Sequence, residues 1–222
     1  MDATWIQDVS MTSSPPAAER AYEFVKNRII SGDYTQNTLL SEGDVAAAIG
    51  LSRTPVREAF LRLEVEGFLQ LYPKRGALVV PIHPDDIREV FDARELIDAH
   101  CAEHICQLAD AARAALGEQL TAVIAEQTAA LDRGDLRDYT RLDAVFHQTI
   151  MDHGGNSILA QLGHSLRERQ QRFTAAAIGR NVETARSFVE GHQRLTAALV
   201  AGDLPTYRTE IHAHLSNSRN QL

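Results

Sequence analysis

Apolar residues recur at helical spacing from Ala18 onward. Ala18, Ala21, Tyr22, Val25 and Ile29 share one face, and Gly32 offers a stop. A loop runs on through Asn37. Ser41 is placed to cap a short helix carrying Val45, Ala46 and Ile49, which closes at Gly50. After the tight turn Leu51-Ser52, a third helix is expected over about 53–66, with Gly67 ending it. The period then shortens. Phe68-Leu69-Gln70-Leu71-Tyr72 and Ala77-Leu78-Val79-Val80 are short and β-like, joined by a turn at Pro73-Lys74-Arg75-Gly76 and stopped at Pro81.

From Pro84 on, everything reads as helix. Ile87, Val90, Phe91, Arg94, Ile97, Cys101 and Ile105 lie on one stripe. Further helices are expected over roughly 111–132, 136–152, 157–178, 182–201 and 204–219. Gly154-Gly155-Asn156, Gly179 and Gly202-Asp203 separate some of them. The expected fold is mainly α. Three helices and a small β-hairpin make an N-terminal winged helix-turn-helix over 17–82. An all-α helical bundle follows over 83–222. Residues 1–16 are polar, end in SSPP, and read as a flexible lead-in.

Composition adds little to this and charge slightly complicates it. Hydrophobic residues at 44% and charged residues at 23% are ordinary for a globular chain. No apolar run is long enough to cross a bilayer, and the N-terminus lacks the basic start and apolar core of a secretory signal, so a cytoplasmic protein is expected. Cys101 and Cys106 lie five apart on one expected helix, where they point in different directions, and read as unpaired thiols. A net charge of -8 is unpromising for binding nucleic acid, but residues 17–82 carry eight Lys/Arg against eight Asp/Glu. A neutral unit can bind DNA if its cations share a face, because phosphate attraction is local under screening.

The third helix has such a face. Arg53 and Arg57 are four apart, while Val56, Ala59, Phe60 and Leu63 form a separate apolar side. Ser52 can cap the helix, and Pro55 sits in its first turn, where a missing N–H costs little. Guanidiniums and the Thr54 hydroxyl at an exposed helix start suit a major groove, and Lys74 and Arg75 at the hairpin tip could hold the backbone. Two arginines on a helix also serve solubility alone. The stretch LLSEGDVAAAIGLSRTPVREAFLRLEVEGFLQLYPKRGALVV resembles the N-terminal domain of the GntR family, over about residues 17–82. The resemblance implies DNA contacts by Arg53, Thr54 and Arg57, and wing contacts near Arg75 and Gly76; Ser52 at the helix start and Lys74 at the wing tip complete the expected DNA-binding set. Family members usually carry an arginine after the glutamate matching Glu42. Here that place is Gly43.

The bundle offers more than one metal-ligand set. Asp143 and His147, four apart on a helix, can grip one ion, and His192 and His214 lie on later helices. His100 and His104 have the same spacing, with Cys101 and Cys106 nearby. The residues alone leave the two sets open. The segment after residue 83 is similar to the ligand-binding FCD domain of FadR-type GntR regulators. It carries the Arg-Glu-Leu-Ile of 94–97, Asp143 to His147 with Phe146, Gly155-Asn156, His192, and His214-Leu215. That resemblance implies Asp143, His147, His192 and His214 as metal ligands. The donor set suits a divalent ion, zinc foremost, with nickel, manganese and iron as alternatives.

Arg94 faces inward on its stripe, where an unpaired charge is costly. Either an internal salt bridge or an effector anion would answer it. The resemblance implies a metabolite-responsive repressor, not an enzyme. Its expected partners are double-stranded operator DNA, a small organic-acid effector and a second copy of the chain, with no membrane. A direct metal sensor and a metal-dependent hydrolase are the alternatives.

Overall fold

The computed structural model describes residues 15–177 and 182–222. Apart from Pro15 and Pro16, the lead-in read over 1–16 lies outside the described residues, as does Gly179. The described residues divide into two compact units, 15–28 with 35–80, and 29–34 with 81–177 and 182–222.

The N-terminal unit holds α1 (Ala17–Ile30), β1 (Leu39–Leu40), α2 (Glu42–Ile49), α3 (Arg53–Val65), β2 (Leu69–Tyr72) and β3 (Gly76–Val79). Ala21, Tyr22 and Val25 of α1, Val45 and Ala46 of α2, and Val56, Ala59, Phe60 and Leu63 of α3 are all buried. Each large apolar side chain withdrawn from water contributes about 1.5–3 kcal/mol. Ser41 caps α2, its hydroxyl accepting from the Gly43 N–H at 3.1 Å, and left-handed Gly50 closes the helix.

Sequence reading expected a hairpin, but the sheet has three strands in the order β1-β3-β2, all antiparallel. Two residues are too few to show a period, so β1 has no signature in the sequence. Its pairing depends on Gly76. Gly76 has φ +111°, and a side chain there would collide with the Leu40 carbonyl oxygen.

Among the described residues the C-terminal unit has six long helices: α4 (Pro84–Cys106), α5 (Asp110–Asp132), α6 (Leu136–Asp152), α7 (Ser157–Ala177), α8 (Val182–Ala201) and α9 (Leu204–Arg219). Caps explain their starts. Asp135 accepts from the Asp138 N–H, Asp203 from the Thr206 N–H, and the His83 N–H donates to Asp86 in a capping box. The apolar stripes meet in one core that includes Phe91, Ile105, Leu120, Phe146, Ile150, Leu195 and Tyr207. Within it α5 packs on α6 and α8, and α9 on α4 and α8. This arrangement turns one face each of α6, α8 and α9 toward a common point.

Candidate functional site

The exposed start of α3 carries Arg53, Thr54 and Arg57 into solvent, while its buried side faces the core. Ser52 occupies the N-cap position without making a side-chain cap bond, so its expected capping role is not filled. Arg53 and Arg57 line a groove of about 620 Å³ together with Lys74, Arg75 and Gly76 of the β2–β3 turn. Ser52 and Thr54 are not among the residues lining it. Lys74 reaches the tip through a left-handed backbone, φ +62°. Four cationic side chains from two elements therefore meet on one concave surface of this unit.

The bundle brings together Asp143 and His147 of α6, His192 of α8 and His214 of α9. One ligand atom from each lies within 4.8 Å of all the others. His147 Nε2 faces His214 Nε2 at 3.3 Å, and His192 Nε2 lies 3.3 Å from Asp143 Oδ1 without hydrogen-bond geometry. Ligands of one tetrahedral ion, each about 2.0–2.1 Å from it, sit roughly 3.4 Å apart.

Two further observations fit a cation. The Nδ1 of His192 is 2.9 Å from Gln127 Oε1 on α5, so Nδ1–H donates to the amide and the Nε2 lone pair points into the cluster. That Nε2 is buried without a hydrogen-bond partner among the described residues. The donor set therefore fits a divalent metal. His100 and His104 are exposed and join no such group among the described residues. Cys101 and Cys106 are free thiols, and burial raises the Cys101 thiol to about 11.

Packing holds the ligands. Phe146 stacks on His192 with centroids 4.1 Å apart, and Phe188 meets His214 edge-on. Gly191 lets α9 close in, since a Cβ there would lie 2.8 Å from His214 Nδ1. Electrostatics keep the ligands ready for a cation. Burial, then the cations Arg167 and Arg94, push His147 well below its usual value. Burial, then His192, does the same to His214. Burial also lowers His192, against the pull of Asp143. Burial alone would raise the Asp143 carboxyl, but Arg167 and then His192 outweigh it and hold it far below the usual carboxylate range. The site is thus three neutral imidazoles and one carboxylate.

Sequence reading missed the residues around this set. Arg167 of α7 is buried and donates to Asp143 Oδ2 at 2.8 Å. Asp98 of α4 lies 3.7 Å from His147 Nδ1 and 3.7 Å from Arg94 Nη2. Burial raises Asp98 to about 6, against the pull of Arg94 and Arg167. Arg94 is fully buried, and none of its three guanidinium nitrogens has a hydrogen-bond partner among the described residues. The Tyr207 hydroxyl is in the same condition. Beside the ligands lies a cavity of about 30 Å³ lined by Asp143, Arg167, Gln170, His214 and Ser218 among others. Arg167, not Arg94, is the guanidinium that lines it.

Gln127→Met keeps the volume and removes the acceptor for His192 Nδ1–H. Zinc affinity is expected to fall about 10–100-fold, the usual cost of losing an outer hydrogen-bond partner. Competition against a chromophoric chelator measures it. Unchanged affinity would show that Gln127 does not set the tautomer.

Two family profiles match the chain. One described as bacterial regulatory proteins, gntR family, covers residues 17–79, and one described as FCD domain covers residues 89–217. An HTH-type transcriptional regulator of Agrobacterium vitis is 28% identical over 139 residues, which are 63% of this chain and 81% of that protein. The gluconate operon transcriptional repressor of Bacillus subtilis is 28% identical over 153 residues, 69% of this chain but only 61% of its own length. The solved structure of E. coli McbR/YncC superposes with a TM-score of 0.73 at 22% identity, covering 93% of this chain and 95% of that one. Both relatives are named as transcription regulators. Among the described residues, no helix is long and apolar enough to cross a membrane.

Proposed function

Because the chain belongs to the gntR family of bacterial regulatory proteins, in the FadR-type group with an FCD domain, we propose that it is a metabolite-responsive repressor. Residues 17–82 bind operator DNA, and residues 83–222 bind a divalent metal and a small organic acid. The observation that carries the DNA half is the groove shared by Arg53, Arg57, Lys74 and Arg75, with two guanidiniums on the exposed start of one helix. Arginine forks match guanine O6 and N7, and wing cations suit phosphates. The chain acts as a homodimer in the cytoplasm, since helix-turn-helix proteins read paired half-sites about one helical turn apart.

Asp143, His147, His192 and His214 hold the metal, with zinc foremost among zinc, nickel, manganese and iron. A bound cation supplies a Lewis-acidic position that an effector carboxylate can share. Arg167, on the cavity wall, holds Asp143 in place and adds positive charge where such an anion enters. Arg94 is the second anion partner: it is paired with Asp98 only at 3.7 Å, and its buried guanidinium has no hydrogen bond of its own. Effector binding shifts the population between DNA-binding and released states by its difference in affinity for the two.

The test uses full chain purified without chelator. Mass spectrometry reports the bound metal, and a gel shift on a duplex selected from a random pool reports DNA binding. A panel of mono- and dicarboxylates is then screened for release. Arg94→Ala and Arg94→Lys are both expected to weaken the active carboxylate about 10–100-fold, the scale of a charge-assisted hydrogen bond. Retained affinity in both variants removes Arg94 from the effector site. Release by chelation alone, reversed by zinc, would instead make the metal itself the signal.

A further inference from the structure

The start of α2 presses against both reading arginines, each in its own way. Glu42 is the first residue of that helix, placed there by the Ser41 cap. Its carboxylate takes two bonds from Arg57, Nε to Oε1 at 2.8 Å and Nη2 to Oε2 at 3.1 Å. This parallel pair occupies one edge of the guanidinium and leaves Nη1 out of the pair. The Arg57 side chain is 69% exposed even so, and Glu42 24%. The next residue, Gly43, lies under the other guanidinium. A Cβ at 43 would sit 3.3 Å from Arg53 Nη2 and 3.5 Å from Arg53 Nε. Arg53 makes no ion pair among the described residues.

We propose that Glu42 and Gly43 are positioning residues for operator reading: Glu42 clamps Arg57 in one orientation, and the bare backbone of Gly43 provides the bed on which Arg53 lies. The inference rests on the DNA-binding reading above. An exposed ion pair adds little to stability, so the effect of the clamp falls on binding. A carboxylate beside the cation weakens its attraction to any passing phosphate, which is the sequence-independent part of binding. The same carboxylate holds the guanidinium fork in a fixed plane, so less freedom is lost when it meets a base edge. The clamp therefore raises the ratio of operator to non-specific affinity. Arg53, unclamped, takes its aim from the shape of the surface beneath it, and Gly43 sets that shape.

Glu42→Gln keeps one acceptor oxygen and removes the charge. Its affinity for a shuffled duplex is expected to rise, with a log–log salt slope steeper by about 1, one more phosphate contact. The ratio of operator to shuffled-duplex affinity is expected to fall by about tenfold, within the range of one lost base-specific contact. Gly43→Ala adds neither charge nor donor, and alanine favours the helix, so the fold stands. Selection from a random duplex pool with this variant is expected to return a changed base preference, because the new methyl crowds the Arg53 guanidinium at 3.3 Å and shifts its aim. Circular dichroism confirms that both variants are folded. If the full wild-type chain selects no sequence, the DNA-binding reading and this inference fall together. If the wild type binds its selected operator while E42Q keeps the same ratio and slope and G43A returns the same sequence, the inference alone is overturned.

Discussion

Replacing His147 with alanine is expected to cut zinc affinity by more than about 100-fold, beyond the 10–100-fold that loss of an outer partner costs. His147 is 1% exposed, and its Nε2 faces His214 across 3.3 Å. Among the described residues the cluster has four members, so the variant is left with three. Zinc at 100 times its dissociation constant stabilises the wild-type fold by about 2.7 kcal/mol. For a chain of this size that is a rise in Tm of roughly 5–10 °C. The variant is expected to show no rise at the same zinc concentration. An equal rise in both proteins would place the metal elsewhere.

The same cluster gives the metal-free protein an acid limit. The three imidazoles titrate lower in the folded state than their free value of about 6.5. As the pH falls through that value the unfolded chain takes up protons that the folded chain refuses. Stability is therefore complete above about 6.5 and is lost below it. Asp143, also depressed, adds a further loss below about 4. Asp98 works the other way. Raised to about 6, it gains a proton on folding between its free and folded values and offsets one of the three imidazoles. Bound zinc competes with those protons and moves the limit to lower pH. Urea melts across this range, with and without zinc, measure both effects. A metal-free protein equally stable on both sides of about 6.5 would contradict the neutral-imidazole site.

Much of this was legible in the sequence, for definite reasons. The long helices show through a 3.6-residue period and strong stop signals, such as Gly202-Asp203, where Asp203 caps α9. Asp143 and His147 show because four-residue spacing puts them on one face. His192 and His214 lie too far along the chain for spacing to join them to that pair, and only the family resemblance selected them over His100 and His104. The supporting layer was hidden for a different reason. Gln127, Asp98 and Arg167 are polar residues on apolar stripes, and a sequence does not say which other helix satisfies them. Asp98 left one trace, four residues after Arg94 on the same stripe. The carboxylate on Arg57 left none, since Glu42 and Arg57 meet only when α2 and α3 pack.

Arg53→Ala and Arg57→Ala are each expected to weaken operator binding by about 1–3 kcal/mol, roughly 5- to 150-fold, and to relax sequence preference. Both guanidiniums face solvent from the first turns of α3, so neither truncation touches the core built by Val56, Ala59, Phe60 and Leu63. The two losses are not expected to add, because α2 touches both side chains and adjacent groups couple. Lys74→Ala at the wing should behave differently. It is expected to lower affinity for operator and shuffled duplex alike and to flatten the salt slope by about 1, as for a phosphate contact. Electrophoretic titrations of the three variants at several salt concentrations separate the roles. If all three lose affinity evenly on every duplex, the start of α3 supplies charge only, and sequence must be read elsewhere. If the two arginine variants lose operator binding while their binding to shuffled duplex stays near wild type, the bases are read from the start of α3 and the wing supplies the backbone charge.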